Sequence, residues 1–150
     1  MKWAALIAWV LTASGGFVML SLWLKHGGRE QPPASERRIR PPLIFGHFAL
    51  AATGLVLWIV YLASDQDTLA WVAVALLVVV ALGGFTMLAI WLQQRRQPAA
   101  QARPAPGTPA ATAGEPAEQR FPVPIVVLHG VLAVTTLVLV VLTAAGVGGS

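Results

Sequence analysis

Four stretches of this chain are apolar, free of Asp, Glu, Lys and Arg, and about as long as a helix that crosses a bilayer. They cover residues 3–24, 43–63, 69–92 and 125–146, each close to the roughly 20 residues a helix needs to traverse the hydrocarbon. Few folds can accommodate such runs. Backbone in lipid has no water to bond, so a spanning segment must satisfy its own N–H and C=O groups, as a helix does. The expected fold is all-α, a bundle of four transmembrane helices. Only 11% of the residues are charged and 57% are hydrophobic, against about one quarter charged in soluble domains. The chain has no cysteine, which excludes disulfides, thiolate metal sites, iron–sulfur clusters and covalently attached c-type haem. The first run follows Met1 and Lys2 directly and shows no small-x-small exit, so it reads as a retained span and not as a cleaved leader.

Charge between the runs orients them. Residues 25–42 hold Lys25, Arg29, Arg37, Arg38 and Arg40 against Glu30 and Glu36, and residues 93–123 hold Arg95, Arg96, Arg103 and Arg120 against Glu115 and Glu118. The link between the second and third runs carries only Asp65 and Asp67. The positive-inside rule therefore puts both long loops in the cytoplasm and both termini outside, with Lys2 as the one dissenting charge. The net charge of +4 reports orientation and anionic headgroups, and not nucleic acid. Residues 93–123 are rich in Ala, Pro, Gln and Gly, have no apolar face, and are expected to form a disordered tether without chemistry of its own. His26, beside Lys25 and Gly27-Gly28, reads as a solvated loop residue.

Comparing the chain with itself gives more. Trp3, Gly15, Gly16, Phe17, Met19, Leu20, Trp23 and Leu24 recur 68 residues later as Trp71, Gly83, Gly84, Phe85, Met87, Leu88, Trp91 and Leu92. Pro42, His47, Leu50, Ala51, Thr53 and Leu55 recur 82 residues later as Pro124, His129, Leu132, Ala133, Thr135 and Leu137. The expected organisation is a duplicated helical hairpin: residues 1–63, a short external link at 64–68, and residues 69–150. Two spans per unit make the repeats parallel, related by a pseudo-two-fold axis along the membrane normal. The glycine pairs suit close helix approach, Trp23 and Trp91 suit anchoring at the cytoplasmic headgroups, and Pro42 and Pro124 suit the first turns of their helices.

His47 and His129 are the only residues inside the spans that can take up charge near neutral pH, and such residues are candidates for function. Each lies about five residues into its run, about 7–8 Å below the cytoplasmic interface. Under the pseudo-two-fold axis they can meet across the bundle, and two neutral imidazoles facing each other in an apolar bundle are what axial ligation of a b-type haem requires. Ala51, Gly54 and Ala133 continue the histidine faces and leave room for a flat macrocycle. Met19 and Met87 lie within about a turn of the same layer and would join the histidines only if copper were the ligand. The alternative reading gives each histidine a structural hydrogen bond to a carbonyl, or to a hydroxyl such as Ser21 or Thr86.

The four-helix plan with its two histidines resembles the small membrane-anchor subunits and four-helix b-type cytochromes of bacterial respiratory chains. That resemblance implies haem b, a bacterial inner membrane, electron transfer, and membership of a larger membrane complex or a homo-oligomer. The chain lacks the further histidine pairs and the quinone-site carboxylate or arginine that such proteins carry. Three readings stand: a single-haem electron-transfer or accessory subunit; a structural or assembly subunit without a cofactor; and a chlorin pigment or copper ion held at the same histidine pair. No nucleophile–base pair or carboxylate dyad is present, so the chain is not expected to be an enzyme. A charge-free interior argues against an ion path.

Overall fold

A computed structural model describes residues 1–29, 39–96 and 117–147. It contains α1 (Lys2–Lys25), α2 (Pro41–Ser64), α3 (Asp67–Arg96) and α4 (Val123–Ala144), with a short 3₁₀ turn at Ala117–Arg120 before α4. All four α-helices are long and apolar enough to cross a membrane, which makes this a multi-pass membrane protein. Local sequence sets the helix ends. Pro41 and Pro42 open α2 and Pro124 opens α4, where a missing N–H costs nothing. At the end of α1, Gly27 takes φ +72°, and the N–H groups of Gly28 and Gly27 close onto Trp23 O and Leu24 O, a Schellman cap. His26 belongs to this cap. It is half-buried, with its ring Nδ1 2.7 Å from Leu22 O, and is not a solvated loop residue.

The helices form a closed ring in which each touches two neighbours. α1 packs chiefly along α4 and α2 along α3, while the α3–α4 and α1–α2 interfaces are thinner. Among the described residues the backbones of α1 and α3 stay apart along their whole length, as do those of α2 and α4, so each of these pairs lies on a diagonal. The tightest interfaces therefore run between α1 and α4 and between α2 and α3, and not within the α1–α2 and α3–α4 pairs expected to form hairpins.

The bundle is packed at both ends. At the end holding the α2–α3 turn, Ala5, Trp9, Trp58, Tyr61, Ala70, Ala73, Val74, Leu77, Val80 and Val140 form one buried cluster. Trp9 stacks near Trp58 (6.4 Å between rings) and Trp58 near Tyr61 (5.0 Å). Lys2 pairs with Asp65 and lies 5.1 Å from the Tyr61 ring, so the dissenting charge of the first span is neutralised by the turn between α2 and α3. Trp3 and Trp71 are exposed at this same end, and they are the tryptophans suited to a headgroup belt.

The opposite end corrects two expectations. Trp23 and Trp91 are 1% and 5% exposed, so they are core residues and not lipid anchors: Trp23 packs edge-on against Phe45, and Trp91 Nε1 donates to Glu118 O at 3.0 Å. The tether expected over 93–123 is also shorter. α3 continues to Arg96, and residues 117–120 fold back onto the bundle, with Glu118 only 1% exposed. The rest of that stretch lies outside the described residues.

Candidate functional site

Between the two packed ends the bundle has a level at which no residue is buried. On α1 nothing between Trp9 and Trp23 is buried, and on α3 nothing between Val80 and Trp91. The same holds for residues 41–53 of α2 and 123–135 of α4. Gly15-Gly16 and Gly83-Gly84 lie in the middle of the first two intervals, and His47 and His129 in the middle of the second two.

Both histidines are half-buried and make the same kind of contact with a neighbouring helix. His47 on α2 reaches α3, where its Nδ1 lies 3.0 Å from Val80 O. His129 on α4 reaches α1, where its Nδ1 lies 2.9 Å from Thr12 O. A carbonyl can only accept, so Nδ1 carries the proton in each ring and Nε2 of the neutral imidazole carries the lone pair. Among the described residues no hydrogen bond engages either Nε2.

The glycine pairs are the seats of these rings. A Cβ added at Gly16 would stand 3.1 Å from His129 Cε1 and 4.0 Å from its Nε2, and one at Gly84 would stand 3.3 Å from His47 Cε1. Gly15 and Gly83 face Nδ1 of the same rings at 3.6 Å. The glycines therefore make space for an imidazole, where the sequence suggested a backbone-to-backbone approach. Gly16 follows Trp9 and Thr12 and precedes Trp23 at core spacing, and Gly84 does the same with Leu77, Val80 and Trp91. The Cε1–Nε2 edge of each ring thus lies on the core stripe of its neighbour.

The two sides of the bundle differ beyond this shared frame. Beside His129, Thr12 Oγ1 and the buried Thr136 Oγ1 lie 3.0 Å apart, linking α1 to α4. The corresponding positions near His47 are Val80 and Gly54, and Gly54 is filled by the Trp9 indole, whose Cζ2 would stand 3.0 Å from an added Cβ. Gly54 is therefore not the macrocycle space suggested by its position on the His47 face. Outside His47, a groove of about 320 Å³ between α2 and α3 is lined by Pro42, Leu43, Gly46, Leu50, Leu82 and Thr86, among others.

The remaining candidates are less engaged. Met19 and Met87 are half-buried, three residues beyond Gly16 and Gly84. Ser21 and Thr86 bond their own helices at Phe17 O and Leu82 O and do not partner the histidines. No cluster of three or more His, Cys, Asp or Glu exists among the described residues. Glu118, which sequence composition gave no reason to single out, is the buried carboxylate among the described residues. Its Oε1 accepts from Ile39 N at 3.1 Å and from Gln94 Nε2 at 2.9 Å.

The fold and this layer define a four-helix membrane protein with a pair of equivalently held intramembrane histidines. No protein family, characterised protein or solved structure was found to match the chain.

Proposed function

We propose that this chain binds one b-type haem through His47 and His129 and serves as an electron-transfer or accessory subunit of a larger complex in a bacterial inner membrane. The observation that carries this reading is the matched state of the two imidazoles: Nδ1–H of each is fixed to a carbonyl of the adjacent helix, leaving Nε2 as the ligating atom. Histidines that bind metals commonly hold their second nitrogen in this way, which sets the tautomer, orients the ring and raises ligand basicity. The donor set suits haem, because two imidazoles from diagonal helices would hold its iron and the level between them lacks buried side chains. Bound haem would supply reversible one-electron chemistry. The protein's own residues do the rest. Thr12 and Val80 orient the rings, Gly16 and Gly84 keep their seats clear, and the tryptophan layers at both ends exclude water.

The matched contacts also support the duplicated hairpin. Val80 and Gly84 stand to His47 as Thr12 and Gly16 stand to His129, at the sequence offsets of 68 and 82. Nine Lys and Arg against four Glu at the loop end support a cytoplasmic assignment for that end and external termini. A reporter fused at Ser150 that is active only outside the cytoplasm tests this, and silence of the reporter reverses the orientation.

The site is tested by the absorbance spectrum and metal content of protein purified in mild detergent. A Soret band is expected that is lost in both His47→Ala and His129→Ala. A band that persists in both variants overturns bis-histidine ligation, and magnesium with a chlorin spectrum, or copper, transfers the site to those ligands. One observation favours a second reading. The same bonds fasten α2 to α3 and α4 to α1 with no cofactor, as in a structural subunit, and a colourless, metal-free protein that co-purifies with a membrane complex would establish it.

A further inference from the structure

We infer that Glu118 assembles a binding site for the phosphate of an anionic lipid headgroup, formed by Arg40, Arg95 and Arg120. Three chain segments remote in sequence meet at this carboxylate. Ile39 N, immediately before Arg40, donates to Oε1. Gln94, immediately before Arg95, donates to the same oxygen through its side chain. Arg120 lies two residues beyond Glu118 in the same 3₁₀ turn. Trp91 completes the clamp by donating to Glu118 O, and the Arg95 guanidinium lies 4.8 Å from the Trp91 ring.

Charge is sorted across this clamp. Glu118 is 1% exposed, and its Oε1 accepts from two neutral donors inside the bundle. All three arginines are exposed. Among the described residues none of them is ion-paired, the one such pair being Lys2–Asp65 at the far end. Guanidinium groups without a carboxylate partner bind phosphate in a fixed fork geometry. The site closes the ends of membrane-length helices, so the phosphate within reach is that of the adjoining leaflet, and each cation near such a surface contributes roughly fivefold to binding at low salt.

Native mass spectrometry of the protein released from nanodiscs of equal phosphatidylglycerol and phosphatidylcholine content tests this. The wild type is expected to retain phosphatidylglycerol in excess, and the excess to fall as salt is raised before release. The triple variant R40Q/R95Q/R120Q should retain the two lipids equally, whereas K2Q, at the opposite end, should keep the excess. Glu118→Ala is the sharper arm. A site of loose surface charge would bind anionic lipid better once an acid is removed, but the clamp requires that it bind worse. The proposal fails if the wild type shows no enrichment, if enrichment survives the triple variant or rises in Glu118→Ala, or if inorganic phosphate at millimolar concentration displaces the lipid. Should the triple variant fail to fold, the salt dependence of the wild type decides.

Discussion

Gly16→Ala tests the ring seat on which the site rests. The added methyl would stand 3.1 Å from His129 Cε1, closer than carbon atoms pack at their optimum. The ring cannot simply withdraw, because its Nδ1 is held 2.9 Å from Thr12 O. It must tilt and stretch that bond, or α4 must move off α1. Inserting a methyl into a filled position costs about 1–3 kcal/mol, and the strained intramembrane hydrogen bond lies within the ~0.6 kcal/mol typical of such bonds. Replacing glycine within a helix gains up to about 1 kcal/mol from propensity, which confuses any single measurement. Gly130→Ala removes the confusion, because Gly130 lies in α4, one residue beyond His129, and an added Cβ there meets nothing within 4 Å. The propensity gains cancel between the two variants, and Gly16→Ala should be less stable than Gly130→Ala by about 2 kcal/mol. Gly15→Ala, whose new methyl would meet the ring at an ordinary 3.6 Å, should fall close to Gly130→Ala. Reversible unfolding in mixed micelles, followed by tryptophan fluorescence, gives all three numbers. Equal stabilities for Gly16→Ala and Gly130→Ala would refute the seating of the imidazole on α1.

Two further substitutions read other parts of the bundle. Thr136→Val keeps the shape of the buried residue but removes its contact with Thr12 Oγ1, so it should cost about 0.6 kcal/mol in the same unfolding assay. Gly28→Ala would put a methyl 2.2 Å from the Trp23 indole, a rigid and 1% exposed ring. It should cost more than about 2 kcal/mol and shift tryptophan emission to the red as Trp23 is displaced; unchanged emission and stability would show that the cap does not hold the indole.

Much of the fold is legible in hydropathy alone, because about twenty charge-free apolar residues leave the backbone no alternative to a helix. The two prolines before each even-numbered span and the glycines after α1 also announce the helix ends they make. What hydropathy does not carry is which face of a span meets which neighbour. Trp23 and Trp91 sit where the apolar runs meet charge, and a tryptophan there is suited equally to headgroups and to a capped core. What decides for the core comes from elsewhere in the chain: Phe45 and the Gly28 cap for Trp23, and Glu118, folding back from a stretch with no apolar periodicity, for Trp91. The glycine pairs were visible as small residues, but their occupants come from helices 114 and 36 residues away (Gly15 to His129, Gly83 to His47). His47 and His129 stood out because polarity inside an apolar run is conspicuous. Their carbonyl partners did not, since every residue carries a carbonyl.

The ring order of the helices also sets a timetable for synthesis. α1 packs chiefly along α4, and the histidine that binds its Thr12 carbonyl is residue 129. At about 5–20 residues per second, the first helix enters the membrane and waits on the order of ten seconds for its principal neighbour to emerge. During that interval Thr12 and the glycine pair face lipid or the insertion machinery. A chain interrupted before α4 would leave α2 and α3 paired and α1 almost alone, a species that membrane quality control could tell from the finished bundle by its unattached first helix.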